Sequence, residues 1–406
     1  MQQPVLTIFY QYNPWKITIG GIQTIINSYI KYAPDEFEIR LVGTTDNSTH
    51  PIGQWQETEL LGRKLIFMPL LNLQDDNVRK LVPTTLKYTL ALLGRQFKSD
   101  FMHFHRLEPT LVSIPWLSDK TLFIHNDIHS QIQLSQSQKD GILWQKIPSA
   151  YFMLERRSVH QFTQIFSCNS HSADLYRQHY PDIADRVTLI KNTVDSDIFY
   201  AVPPDQQNHK RQQFAQKLGL SQETQFILFA GRLHPQKDPL LLIQTIANLN
   251  ESNVHLLIAG EGELSGSVRS EINRLNLSHS VTMLGAISQS ELADLHRLCS
   301  VFILTSIYEG LPLVVLESLL SGTPVVTTRC GETPNLLTTN SGVVAQDRSP
   351  SALADALRQV LKHPDRYPSS ACIAIAKPYS AYEVIRNVYS DMLHRWQTKS
   401  RVTVPK

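Results

Sequence analysis

At 406 residues the chain is long enough for two domains, each with a substantial core. Its 38 lysines and arginines against 36 acids leave a net charge of +2, so there is no whole-protein attraction to nucleic acid, and 42% apolar with 18% charged residues excludes a disordered chain. The four cysteines, Cys168, Cys299, Cys330 and Cys372, are far apart and form no CxxC pair, which excludes a zinc knuckle or disulfide scaffold and makes a reducing cytoplasm the expected compartment. No basic-flanked apolar leader is visible, and no run approaches the roughly 18 uncharged apolar residues of a membrane span.

Short apolar runs alternate with longer stretches of helical period, the pattern of βα units on a mostly parallel sheet. The first strand is expected over Val5 to Phe9, followed by a Gly20-Gly21 turn, a helix from about Ile22 to Lys31 and a strand from about Phe37 to Val42. The stretch from Thr84 to Lys98 places Leu86, Leu90, Leu93 and Phe97 at helical spacing with Lys87, Arg95 and Lys98 nearby. That pattern fits a helix laying its leucines on a core, and it also fits a basic amphipathic helix resting on an anionic membrane. Further strands are expected near Phe101 to Phe104, Thr121 to Ile124, Gln164 to Cys168 and Val187 to Ile190. The polar, proline-paired stretch 201–213 reads as a linker or exposed loop. A second α/β series begins after it, with strands at Phe226 to Ala230, His255 to Ala259, Val281 to Leu284, Val301 to Leu304 and Pro324 to Thr327. Three pieces are therefore expected: a lobe over 1–200, a second lobe over 201–378, and a C-terminal helix over 379–406 packing back on the first lobe. Two doubly wound lobes would form a cleft, the usual place for a ligand in such folds.

Two segments of the second lobe carry chemistry. Between Ser306 and Val326, Gly310 permits a sharp turn, Pro312 suits the first helical position, and Gly322 with Pro324 ends the helix. Glu309 then lies just ahead of a helix N-terminus, and Glu317 lies about 7–8 Å further along the axis. A helix mouth attracts phosphate, and a carboxylate beside it can accept hydrogen bonds from sugar hydroxyls. The simpler reading makes Glu309 a helix cap and Glu317 a solvated acid. Upstream, the loop Gly231-Arg-Leu-His-Pro-Gln-Lys237 leaves a strand and carries Arg232 and Lys237, two cations suited to a diphosphate and to the charge that develops on a departing one.

Taken together, these segments resemble family 4 of the glycosyltransferases, retaining enzymes of the two-lobed GT-B fold. The resemblance is densest from Phe226 to Leu336, in Gly231 to Lys237, Ala259-Gly-Glu-Gly262, the Glu309 and Glu317 pair, and Ser321-Gly-Thr-Pro-Val-Val326. First-lobe matches are looser: Gly20-Gly21-Ile22, Asp100-Phe-Met-His-Phe-His105, His125-Asn-Asp127, Asn169-Ser170 and Lys191-Asn-Thr-Val-Asp195, where Thr193 stands in place of the family's usual glycine. The resemblance implies an α/β GT-B fold with two Rossmann-like doubly wound lobes facing each other across a cleft. It implies that Arg232 and Lys237 contact the donor diphosphate, Glu317 the ribose, and Glu309 the transferred sugar. The backbone of Gly310, Leu311 and Leu313 would lie near the phosphates, Gly20 and Gly21 would approach the donor, and His125 would stand near the reacting sugar.

The implied activity is transfer of a sugar with retention from a nucleoside-diphosphate sugar to a hydroxyl of a glycan or lipid-linked acceptor. No cofactor and no strictly required divalent metal are expected, and Asp195-Ser-Asp197 is read as no metal site. Peripheral contact with the inner face of an anionic membrane is the one partner surface anticipated. A sugar-phosphate epimerase or phosphorylase, or a sensor that binds sugar nucleotides without turnover, are the competing readings.

Overall fold

The computed structural model describes residues 3–16, 21–46, 51–73, 83–125 and 147–402. These divide into two units: one built mainly from the chain up to Lys191 together with the stretch from Val384 onward, the other from Asn192 to Glu383.

In the first unit eight strands form one sheet: β1 (Val5–Phe9), β2 (Glu38–Thr45), β3 (Gln56–Leu60), β4 (Arg63–Asn72), β5 (Phe101–Phe104), β6 (Asp119–Ile124), β7 (Gln164–Ser167) and β8 (Val187–Leu189). Their order is β3-β4-β2-β1-β5-β6-β7-β8, parallel except for the β3/β4 hairpin. The central strands are buried on both faces, which is why they read as unbroken apolar runs. The hairpin is an addition to the expected elements: Gln56-Glu-Thr-Glu-Leu60 is a polar edge strand without an apolar signature. It turns through Leu61 and Gly62, both at positive φ (55° and 74°), a two-residue connection whose twist matches the flanking strands.

Helix α1 spans Gly21–Lys31 and α2 spans Thr84–Leu92. The expected orientation of α2 is reversed. It buries Tyr88, Thr89 and Leu92, while Leu86, Leu90 and Leu93 are 40%, 54% and 57% exposed; only Phe97, beyond the helix end, enters the core. Tyr88 carries both an aromatic face and a hydroxyl that donates to the Val42 carbonyl (2.6 Å), so it takes the inner position. The C-terminal helix, Ala381–Val402, lays Tyr389 on this unit, its hydroxyl donating to the Tyr29 carbonyl (2.8 Å). Arg395 and Lys399 reach the buried Asp119 at 3.0 and 3.4 Å.

The second unit holds six parallel strands, β9 (Gln225–Ala230), β10 (Val254–Ala259), β11 (Val281–Gly285), β12 (Val301–Leu304), β13 (Val325–Thr327) and β14 (Gly342–Val344), ordered β11-β10-β9-β12-β13-β14. The first five lie within a residue or so of their expected bounds, and β14, only three residues long, is an addition. The stretch read as a linker is instead helix α3, Pro204–Lys217. It buries only Ala215, so no apolar period betrays it, and it is tied on by Lys210 pairing with Asp294 (3.1 Å). Strand order across the sheet reverses at β9, flanked by β10 on one side and β12 on the other, and the loops leaving β9 and β12 therefore emerge at a topological switch point. Among the described residues, no helix is long and apolar enough to cross a membrane.

Candidate active site

β9 is followed by Gly231 (φ 150°), whose N–H donates to the Ala259 carbonyl (3.0 Å). Opposite it, Gly260 follows β10; a Cβ there would come within 2.0 Å of the Gly231 carbonyl oxygen, so the two strand ends can pass this closely only with glycine. The loop then makes one 3-10 turn, Pro235–Lys237, begun by the His234 ring accepting from the Gln236 N–H (3.2 Å). Asp238 sits at φ 44°, and its Oδ1 accepts from Leu241 N–H (3.1 Å), capping the helix α4, Pro239–Leu249. Arg348 pairs with the other carboxylate oxygen of Asp238.

The loop after β12 is stitched to this one. Ile307 N–H donates to the Gln236 carbonyl (2.8 Å), the Gln236 amide donates to the Tyr308 carbonyl (3.0 Å), and Thr305 Oγ1 donates to the Lys237 carbonyl (2.7 Å). As a result Lys237 Nζ lies 2.5 Å from Glu309 Oε1, with side chains 17% and 10% exposed, and Ser306 Oγ donates to the same oxygen (2.8 Å). Beneath the turn stands Gly331 (φ 60°), where a Cβ would meet the Gly310 carbonyl oxygen at 2.3 Å. Asn192 fixes the next residue by donating from Nδ2 to the Leu311 carbonyl (2.5 Å).

Helix α5, Leu313–Leu320, starts one residue later than expected, with Pro312 as its cap residue rather than its first helical one. Glu309 is therefore an ion-pair partner in the preceding turn, not a capping side chain. Glu317 is not a solvated acid: it is 4% exposed, and among the described residues its Oε2 has no hydrogen-bond partner. Burial pushes its carboxyl up to about 8, with the Lys237 ammonium pulling the other way. Lys237 thus stands within electrostatic reach of both acids.

The raised Glu317 value carries a stability consequence. The unfolded carboxyl loses its proton near its ordinary value of 4.5, whereas the folded one keeps it to about 8, so the folded state binds the extra proton between these values and stability falls as pH rises. Glu317→Gln is expected to leave the ligand-free protein's stability nearly unchanged at pH 4.5 and to raise it by roughly 1–3 kcal/mol at pH 8. Thermal or urea unfolding at the two pH values measures this, and a gain that does not grow with pH contradicts it.

Of the remaining expected residues, Arg232 is exposed on the same loop as Lys237, Gly310 is half-buried, and Leu311 and Leu313 are buried at the start of α5. Gly21 is the exposed first residue of α1, while Gly20, Asn126 and Asp127 lie outside the described residues. His125, half-buried one residue past β6, belongs to the first unit. Thr193, in place of glycine, is not at positive φ, so its β-branched side chain fits this loop without strain. Asp195 accepts from the Asp197 N–H (3.0 Å) within its own turn. Among the described residues, no three His, Cys, Asp or Glu side chains stand close enough to hold a metal ion. Residues that sequence reasoning missed are Thr305, Ser306, Gln236, Asp238, Arg348 and Gly331; of these Gly331, in Cys330-Gly-Glu332, carries a local turn signal and Asp238, directly before Pro239, a helix-start signal.

Residues 210–375 match the family described as "Glycosyl transferases group 1". The chain is 28% identical over 277 residues to the D-inositol 3-phosphate glycosyltransferase of Streptomyces coelicolor, covering 63% of this chain and 61% of that one. Its structure resembles the sucrose-phosphate synthase of Thermosynechococcus elongatus (TM-score 0.77, 16% identity, 99% of this chain and 100% of the other). It also resembles the HepE protein of Anabaena solved with UDP and glucose (TM-score 0.72, 16% identity, 97% and 100%). The fold is that of GT-B glycosyltransferases, with two Rossmann-like α/β units.

Proposed function

We propose that the protein is a retaining glycosyltransferase of family 4 that takes a sugar from a nucleoside-diphosphate sugar and passes it to a hydroxyl of a glycan or lipid-linked acceptor. The observation that carries this reading is the Lys237 and Glu309 contact at the mouth of α5, with Glu317 buried further along the helix and its Oε2 without a hydrogen-bond partner among the described residues. The family match over the same segment and the names of the relatives support a transferase, and neighbours solved with UDP and UDP-glucose support a nucleotide-sugar donor.

In this reading Arg232 and Lys237 hold the diphosphate, Gly310, Leu311 and Leu313 present backbone to it, and Glu317 accepts from the ribose hydroxyls. Glu309 holds the transferred sugar, with Gly20, Gly21 and His125 contributed as the resemblance implies. The bond from the anomeric carbon to the phosphate oxygen breaks, its electron pair leaving with the nucleoside diphosphate, and the two cations and the helix dipole stabilise that charge. The acceptor oxygen bonds to the same face of the anomeric carbon, where the departing phosphate oxygen is the nearest base for its proton. No metal or cofactor enters this scheme. A non-catalytic sensor would need affinity without groups that favour a leaving group.

Incubation with a panel of radiolabelled sugar nucleotides tests the proposal: slow hydrolysis of one donor is expected, and tight binding without turnover of any would overturn it. A surface polysaccharide is the acceptor class we place first, ahead of a lipid-linked oligosaccharide and a glycolipid. The exposed Leu86 and Leu90 of α2 and Leu93 just after it, with Lys98 exposed further on, favour presentation at an anionic lipid surface. Vesicles containing anionic lipid are expected to float the protein, and Leu90→Ser with Leu93→Ser to abolish flotation; wild-type protein remaining wholly in solution removes the membrane from this account.

A further inference from the structure

β5 and β6 are parallel neighbours with Phe104 beside Leu122, so His105, immediately after β5, falls opposite Phe123, and His125 lies two residues further along the same face. The His105 ring stacks on Phe123 (centroids 4.5 Å, planes 11° apart). Its Nδ1 lies 2.8 Å from Nε2 of His125, with the two ring centroids 5.1 Å apart and the planes inclined by 12°. The 2.8 Å separation is that of a single N–H···N hydrogen bond between the rings. Burial holds both rings neutral, lowering His105 well below the usual imidazole range and His125 to about 3, with the Arg106 guanidinium adding to the effect on His125.

Two neutral imidazoles joined this way share one hydrogen, so one ring donates and the other accepts. The far side of His105 decides which. His105 is 2% exposed, and among the described residues its Nε2 is buried without a partner. A hydrogen on Nε2 would be an orphaned buried donor, whereas a hydrogen on Nδ1 is used in the bond and leaves only a bare lone pair. Orphaned buried N–H groups are the rarer kind.

We propose that His105 is a positioning residue: it donates from Nδ1 to Nε2 of His125 and so locks His125 as the neutral tautomer with its hydrogen on Nδ1. His125 then meets a substrate with an N–H donor, suited to a sugar hydroxyl or phosphate oxygen, and not as a general base. The consequence for turnover rests on the reading that His125 takes part in sugar transfer; the tautomer does not.

The test uses the full chain labelled with 15N-histidine, whose ring nitrogens report protonation directly by their shifts and couplings. Wild-type His125 is expected to show a protonated Nδ1 and a bare Nε2; a protonated Nε2 overturns the assignment without any variant having to fold. His105→Asn, whose amide N–H can take the place of Nδ1–H, is expected to keep that signature and turnover within about threefold. His105→Phe is expected to lose the signature and about tenfold or more in turnover, with KM for the donor within about twofold. Unchanged turnover in His105→Phe with the signature lost overturns the positioning role. Unchanged turnover in His125→Ala, with the wild-type signature intact, instead removes His125 from the reaction and leaves the tautomer assignment standing.

Discussion

Lys237→Ala is expected to lower sugar transfer about 10²–10³-fold, the usual cost of removing one group that stabilises developing negative charge in a water-poor site. The loss should appear in turnover more than in KM, because the charge on the leaving diphosphate is larger in the transition state than in the bound donor. Arg232, exposed on the same loop, is the second cation of the proposed diphosphate site, so activity is expected to be reduced and not abolished. Removing Lys237 also leaves Glu309, which is 10% exposed, with Ser306 as its remaining side-chain partner among the described residues. A fall in melting temperature is therefore expected as well, and rates must be compared well below it. A Lys237→Ala protein that folds and turns over at the wild-type rate would remove Lys237 from the chemistry.

Glu309→Gln is expected to move binding and turnover in opposite directions. In the ligand-free protein the Lys237 ammonium is held by the Glu309 carboxylate at 2.5 Å, so an incoming diphosphate competes with a carboxylate already in place. The amide is isosteric and uncharged. Its introduction should tighten binding of a nucleoside diphosphate by about tenfold, equivalent to about 1.4 kcal/mol. Transfer should fall about 10²-fold if, as proposed, Glu309 is the charged partner of the transferred sugar. General damage to the loop would weaken both properties together. Calorimetric titration with UDP or another diphosphate that binds, paired with initial rates, separates the cases; weaker binding in the Glu309→Gln protein contradicts the competition.

Much of the second unit was legible because its signals are local. β9, β10 and β12 are buried on both faces and read as apolar runs, and Gly231, Gly310 and Gly322 mark turns near where they occur. What could not be read is what depends on distant partners. Thr305 looks like an ordinary strand-end residue until the loop after β9 is laid against it, and Gly331 acquires its meaning only from the carbonyls of Glu309 and Gly310 above it. Pattern also misled where polarity and burial part company. Helix α3 is polar on nearly every side and so passed for a linker, while Leu86, Leu90 and Leu93 kept helical spacing but are exposed. The contact of His105 with His125 depends on the pairing of β5 with β6, which no spacing along the chain records.

The proposed function depends on the loop after β9 and the mouth of α5 gripping a diphosphate through Lys237. Calorimetric titration of each nucleoside diphosphate against its own nucleoside, with wild-type protein and with Lys237→Ala, tests it most directly. For one base the diphosphate is expected to bind at least about tenfold more tightly than the nucleoside, with a gap that largely closes when Lys237 is removed. Equal affinity for nucleoside and diphosphate, or a gap that Lys237→Ala leaves intact, would contradict it.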